Sequence, residues 1–250
     1  MKVWLEKNKE RILIALFIAG VLSYFSGLNS LLPLQEDSGL YITLANSLAK
    51  GLGFVSTTGP VSYPSNHYPF VYPAILSPLV YLFPGNFFVL KLLNIFLTLL
   101  LIVCIFYMLP KFFKGNLVIV AVVLIVLNPQ ISFYSRQILS EITYTFFSII
   151  TLYFLMRYQE ESPVINPYLF VSIFVFFLTY YTRLIGISIF VSLIIVFFLK
   201  KMFKKGIIVF SLFSLVIAPW VVRNFMIGRS EYMSEFIGST SNVVSLMVIA

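Results

Sequence analysis

Asp37 is the only aspartate in a chain of 250 residues that is 60% apolar and 10% charged. It follows Glu36 in LPLQEDSGLYITLANSLAKGLGF, residues 32–54, at the mouth of a small amphipathic stretch. A carboxylate there has two uses. It can cap a helix starting near Leu40, where Asp37 or Ser38 would suit the dipole, and it can take a proton from a hydroxyl. The two uses are compatible. Glu141 repeats the pattern in YSRQILSEITYTFF, after Ser140 and five residues beyond Arg136. Arg183 in YYTRLIGI and Arg223 in APWVVRNFMIG have almost no polar company. An arginine at a bilayer centre costs roughly 2.5–3.5 kcal/mol on insertion scales. Arg183 therefore either snorkels to the interface or faces a cavity holding an anion. Trp220 reads as an interface anchor beside Arg223. His67 in YPSNHYPF reads as a loop hydrogen-bonder in preference to a catalytic group, and Lys50 meets either lipid phosphate or solvent.

The elements that must position these residues are apolar runs. Candidate spans are residues 12–28, 88–109, 116–134, 142–157, 167–182, 184–199 and 206–222. Their recurrence makes the class an all-α polytopic membrane protein, and the 18% aromatic content fits interfacial belts. The first run reads as a retained helix, because no small-x-small cleavage site follows it. The net charge of +8 is no nucleic-acid signal, since the basic residues cluster between runs. Lys2, Lys7, Lys9 and Arg11 put the N-terminus in the cytoplasm. Lys111 and Lys114, then Lys200, Lys201, Lys204 and Lys205, fall on the same side, with Arg157 at a span end. One His and one Cys exclude a His/Cys zinc cluster, and Cys104 reads as a packing residue.

That parity assigns YPFVYPAILSPLVYLFP, residues 68–84, to a re-entrant or interfacial segment interrupted by Pro69, Pro73, Pro78 and Pro84. Residues 29–87 then form one large external loop. Within it Leu40, Leu44, Leu48 and Leu52 recur every four residues beside Tyr41 and Ala45, as in a helix lying in the membrane surface. Gly51 and Gly53 end it. Residues 223–242 leave the membrane externally, and VVSLMVIA starts another apolar run, so the single domain over 1–250 reads as incomplete at its C-terminal end. By the same parity Asp37, Arg136 and Glu141 share the external face.

Several short motifs recur in order. They are Asp37 with Tyr41 and AKGLGF, then HYPFVYPAIL, Ser135-Arg136 with Ser140-Glu141, Thr182-Arg183, and Pro219 to Asn224. In that order and spacing the chain resembles the prokaryotic GT-C glycosyltransferases, the superfamily of protein O-mannosyltransferases and lipid A aminoarabinose transferases. The resemblance runs through nearly all of the chain. It implies a transmembrane helical bundle in the plasma membrane with a large first external loop carrying interfacial helices. It implies transfer of a sugar from a polyprenyl-phosphate donor to an unidentified acceptor on the external face. Asp37 would be the base and Glu141 the second acid. Glu36, which precedes Asp37 where many members have the acid after it, is the remaining acidic candidate. Arg136 or Arg183 would hold the donor phosphate, with Tyr41, His67, Lys50 and Arg223 as further substrate-binding candidates. No organic cofactor is implied; Arg or a divalent cation would stabilise the departing phosphate. Partners would be the lipid-linked donor and membrane lipid, with no nucleic acid. The alternatives are a transporter or flippase of lipid-linked saccharides, which should show paired broken spans, and a structural membrane subunit.

Overall fold

The computed structural model describes residues 8–32, 35–58, 62–114, 116–160 and 163–227. The molecule is mostly helical, 75% helix against 2% strand. In chain order the helices are α1 (Lys9–Phe25), α2 (Glu36–Ala49), α3 (Val71–Leu82), α4 (Phe87–Met108), α5 (Asn116–Val126) and α6 (Pro129–Ser135). They continue with α7 (Glu141–Glu160), α8 (Pro167–Tyr180), α9 (Ile187–Leu199) and α10 (Phe203–Ile227). A two-stranded ribbon, β1 (Val55–Ser56) and β2 (Tyr63–Pro64), lies between α2 and α3, pairing Val55 with Pro64 and Ser56 with Tyr63.

Each expected apolar run is helical, but fewer are long and apolar enough to cross a bilayer by themselves. Among the described residues two qualify, Phe87–Lys111 and Phe203–Ile227, and a third if α5 and α6, bent by 49°, form one crossing. Charge accounts for part of the difference: α1 begins Lys9-Glu10-Arg11, and α7 carries Glu141, Arg157 and Glu160. The α5–α6 break has a local cause. Asn128 Oδ1 accepts from the backbone N–H of Gln130 at 2.8 Å and Ile131 at 3.3 Å, and Pro129 occupies the first turn of α6. That is a new helix start, with a proline where α5 would have needed another N–H. At the other end of the chain, α10 continues to Ile227, so residues 223–227 are helical; the apolar run VVSLMVIA lies outside the described residues.

Three apolar clusters hold the helices together. Tyr24, Ile95, Ile102, Phe106, Val122 and Val126 join α1, α4 and α5. Phe176, Leu193, Phe197, Val209, Phe213 and Trp220 join α8, α9 and α10, with the Phe176 and Phe213 rings stacked 4.0 Å apart. The third cluster, Tyr41, Ala45, Tyr72, Leu76, Leu90 and Leu139, binds the loop helices to α4 and the α6–α7 connection. Large apolar side chains remain exposed on the outer faces, among them Phe96, Leu124, Phe170, Phe198, Leu215 and Phe225. Surface of that kind suits lipid better than water.

The basic clusters after α4 and α9 converge with the end of α7. Lys111 Nζ lies 3.6 Å from Glu160, Arg157 pairs with Glu160 at 3.2 Å, and Lys200 donates to Gln159 Oε1 at 2.7 Å. Lys205 donates to the Tyr158 carbonyl at 3.0 Å. Lys2 and Lys7 lie outside the described residues.

The loop over 29–87 is built differently from expectation in two respects. First, α2 starts at Glu36, a turn earlier than Leu40, and its N-cap is Gln35, which makes no side-chain cap bond. Asp37 is therefore a first-turn residue and not the cap. Second, the apolar stripe is turned inward. Tyr41, Leu44 and Ala45 are buried against α3, while Leu52 lies past the helix end and is exposed. Apolar periodicity alone does not distinguish lipid from a neighbouring helix as the burying partner. Gly51 and Gly53 end α2 as expected, with φ of 71° and 83°. The proline-rich segment forms α3, whose 12 residues span about 18 Å at 1.5 Å per residue, too short to cross a bilayer upright.

Candidate functional site

The first turn of α2, the start of α7 and the α8–α9 hairpin meet at one place. Arg183 Nη1 lies 2.5 Å from Glu141 Oε1. Glu141 opens α7, where its charge complements the helix dipole. Arg183 is brought to it by a short turn, Leu184–Gly186, between α8 and α9. Gly186 eases the close approach: a Cβ there would lie 3.1 Å from the backbone Cα of Tyr180, a tight contact. The hairpin is also sewn to α3, since the Val71 N–H donates to the Tyr181 carbonyl at 2.9 Å.

Asp37 faces the same cluster. Tyr68 Oη donates to Asp37 Oδ1 at 2.5 Å, a short charge-assisted bond. The Tyr68 ring packs on Tyr41 at 4.7 Å, and Tyr41 meets Tyr72 edge-on at 4.9 Å. Tyr41 Oη and Ser140 Oγ are 2.8 Å apart, immediately before Glu141. Beneath this aromatic layer Asn94 of α4, fully buried, donates through Nδ2 to Tyr72 Oη at 3.1 Å, to the Gln137 carbonyl at 2.6 Å and to the Leu139 carbonyl at 2.9 Å. One side chain thus fixes α3 and the α6–α7 connection to α4.

The electrostatics follow from this layout. Burial lowers the Arg183 affinity for its proton, but the Glu141 charge and hydrogen bond, with smaller contributions from Tyr41 and Asp37, outweigh it and leave the pKa raised. The guanidinium is a permanent cation. The Tyr41 hydroxyl is pushed well above its ordinary value, first by burial. It stays protonated and neutral between two carboxylates. Glu141 Oε2 is buried and has no hydrogen-bond partner among the described residues. The cluster thus combines a carboxylate held by a phenol with a second carboxylate half satisfied by a guanidinium. It can accept a proton, bind a donor hydroxyl and stabilise an anion.

The other candidates lie in varied places. His67 stacks edge-on against Tyr68 at 4.3 Å, next to the Asp37 partner. Arg136 ends α6, where Nε donates to the Ser132 carbonyl at 3.0 Å, and its guanidinium covers Gly27 beyond α1. Lys50 is the exposed C-cap of α2, about 20 Å from Asp37 at the helical rise per residue. Arg223 anchors the ribbon: Nη2 donates to the Ser65 carbonyl at 2.8 Å, and the guanidinium lies over the Phe54 and Trp220 rings at 5.6 and 4.9 Å. Glu36 is the first residue of α2; its side chain lies outside the described set. Tyr68, Tyr72 and Asn94 were not among the residues singled out from the sequence. The Tyr-Pro repeats of HYPFVYP were the one signal for the two tyrosines, and nothing marked Asn94 beyond a polar residue inside an apolar run.

One cavity is lined by a residue of the cluster, Glu141, and a second lies along α8, α10 and the ribbon. An apolar cleft of about 510 Å³ is lined by Phe54, Phe70, Phe177, Tyr181, Trp220 and Arg223, among others. Trp220 Nε1 is buried there without an acceptor among the described residues. A smaller cavity of about 250 Å³ lies behind Glu141, against α4 and the α5–α6 break. Among the described residues no three His, Cys, Asp or Glu side chains are grouped to share a metal ion. Comparison with family models, with curated proteins and with solved structures finds no match to this chain.

Proposed function

We propose that the chain is a polytopic membrane glycosyltransferase of GT-C type. It moves a sugar from a polyprenyl-phosphate donor to an acceptor hydroxyl on the external face of the plasma membrane, with its N-terminus in the cytoplasm. The observation that carries the reading is the meeting of Asp37, Tyr41, Glu141 and Arg183, drawn from three distant segments into one cluster. The clustering of Lys111, Arg157 and Lys200 about the end of α7 opposite Glu141 supports the orientation, because basic residues favour the cytoplasmic side.

In this reading the Asp37 carboxylate takes the proton of the acceptor hydroxyl. The freed oxygen forms a bond to the anomeric carbon while the bond from that carbon to the phosphate oxygen breaks. The electron pair leaves with the polyprenyl phosphate. Phosphate is already a competent leaving group, so the protein mainly orients the groups and answers the developing charge. Arg183 suits that task, because the pair with Glu141 engages Nη1 and leaves its other donors unengaged among the described residues. Tyr68 holds Asp37 through one oxygen and leaves the other for the hydroxyl. The apolar cleft beside Arg223 and Trp220 suits an isoprenoid tail. His67 and Tyr41 pack on the two sides of the Tyr68 contact as ring neighbours at 4.3 and 4.7 Å, and a divalent cation at the phosphate is compatible with the two carboxylates.

The alternative, a transporter of lipid-linked saccharides, draws on the broken α5–α6 pair, but such proteins carry broken helices in matched pairs. Among the described residues one pair is bent in this way. The test is transfer of labelled sugar by the purified full-length protein given polyprenyl-phosphate sugars. Loss of a general base lowers rates by about 10²–10⁴. Asp37→Asn should do so with the protein still inserted and folded. Unchanged transfer by Asp37→Asn, or no transfer from any donor of a gluco, manno, galacto and arabino panel, overturns the proposal.

A further inference from the structure

The α9–α10 hairpin closes in the turn KKMFKK, residues 200–205, about 20 Å along α9 from the Arg183 side. Its backbone is unusual for its sequence. The Lys201 N–H donates to the Phe198 carbonyl at 3.0 Å, and the Met202 N–H donates to the Phe197 carbonyl at 2.9 Å. That pair of bonds closes a helix whose next residue is left-handed, a place normally held by glycine. Here Lys201 holds it, with φ of 55°, the one non-glycine residue with positive φ among the described residues. A side chain kept in a strained conformation points to a use for that side chain.

The charges of the turn divide into two sets. Lys200 donates to Gln159 and Lys205 to the Tyr158 carbonyl, both on α7. Glu160, the acid at that end of α7, is taken by Lys111 and Arg157. Lys201 and Lys204 are exposed and have no partner among the described residues. No acidic residue occurs between Glu161 and Glu231.

Beside these two free ammonium groups lies an apolar groove of about 190 Å³, open along the outer face of the hairpin. It is bordered by Phe197, Phe198, Phe203, Gly206, Ile207 and Phe210. Gly206 lets the two helices approach, since a Cβ there would lie 3.1 Å from the Phe197 Cβ. Phe198 and Phe203, with rings edge-on at 5.9 Å, border the groove nearest the turn. Phe198, Phe203, Ile207 and Phe210 are all at least 50% exposed, so the groove is unfilled by the chain itself.

Cations at one end and an apolar slot running from them match an amphipathic anion, and basic sites beside membrane helices select acidic headgroups. We infer that the α9–α10 hairpin binds an anionic phospholipid. Its phosphate lies between Lys201 and Lys204, and one acyl chain lies in the groove between Phe198, Phe203 and Ile207. The site is at the far end of the bundle from Asp37 and Glu141, and it holds whichever reaction that end carries out.

The experiment is native mass spectrometry of the full-length protein in a non-ionic detergent. It is titrated with palmitoyl-oleoyl phosphatidylglycerol and, separately, with the phosphatidylcholine of the same chains. One phosphatidylglycerol should be retained in clear preference to phosphatidylcholine. Each lysine at an anionic surface is worth a factor of about five, so Lys201→Gln with Lys204→Gln should weaken retention about 25-fold. Lys201→Gly removes the backbone strain together with the charge; the melting temperature should not fall, while retention weakens about fivefold. Phe203→Ser, at an exposed position, should weaken retention through the groove alone. Lys114→Gln, in the exposed α4–α5 connection, is the control for basic surface in general and should leave retention within twofold. Equal retention of the two lipids, or displacement of phosphatidylglycerol by inorganic phosphate at equal concentration, overturns the inference. So does retention unchanged in Lys201→Gly, or a loss in Lys114→Gln as large as the loss in Lys201→Gly.

Discussion

The Glu141–Arg183 pair lets the site be tested as a piece of physical chemistry before any substrate is known. Replacing Glu141 by Gln keeps its shape and removes its charge; Arg183→Gln removes the charge from the other side with a shorter polar side chain. The side chains are 28% and 35% exposed, so the pair is neither a surface contact nor fully dry. Exposed pairs contribute about 0.2–1 kcal/mol, and breaking a buried pair costs about 3–5 kcal/mol. The intermediate burial places each single substitution at about 2 kcal/mol by interpolation between those limits. Arg183→Gln should be the worse of the two, because it leaves Glu141 with both oxygens short of a cation. For a chain of this size 1 kcal/mol corresponds to roughly 2–4 °C, so each single variant should melt about 4–8 °C lower. The double variant buries no unpaired charge and should fall short of the sum by about 1.5 kcal/mol, within the usual range for contacting residues. Thermal unfolding in a non-ionic detergent, followed by circular dichroism, supplies the cycle. Additivity within about 0.5 kcal/mol would show that the two groups do not interact and would refute the reasoning.

Other outcomes follow from single contacts. Gly51→Ala, at φ of 71°, should cost about 1 kcal/mol of stability by chemical unfolding, because a Cβ disfavours the left-handed region. Arg223→Ala removes the bond to the Ser65 carbonyl and the contacts to Phe54 and Trp220. Backbone amides near Ser65 should then exchange with deuterium at least tenfold faster while those of α4 do not change. Burial raises the Tyr41 pKa above its ordinary 10.0, so the folded state keeps a proton that the unfolded state releases. The Tyr41 contribution to stability should therefore be constant below about pH 10 and fall as pH rises beyond it, and Tyr41→Phe should make the alkaline slope in thermal melts shallower by the share of one proton.

Much of the helical layout is legible in the amino-acid order. Apolar runs mark α4 and α10 because a crossing helix needs a long unbroken stretch, and Gly51 and Gly53 mark the end of α2 because few other residues tolerate their backbone. The order does not say which partner buries an apolar face, so the α2 stripe suggested lipid where α3 is the neighbour. It also does not say where a helix begins when several polar residues precede it, so Asp37 looked like a cap although Gln35 occupies that position. Within the site, Asp37, Glu141 and Arg183 stood out as isolated charges in a greasy chain. Tyr68 and Asn94 did not, because their importance is relational: each matters through a bond to a residue far away in sequence. Arg136 stood out for its place five residues before Glu141, yet its guanidinium lies over Gly27.

The central claim is that the Asp37 cluster faces the outside of the cell while the basic end of α7 faces the cytoplasm. Thiol labelling in intact cells measures this directly. In a Cys104→Ser background, Gly39→Cys lies two residues from Asp37 at a position with open space around it, and Lys201→Cys lies in the exposed turn between α9 and α10. A membrane-impermeant maleimide should modify the first in intact cells and the second only after permeabilisation. Labelling of Lys201→Cys from outside, with Gly39→Cys protected, would contradict the account.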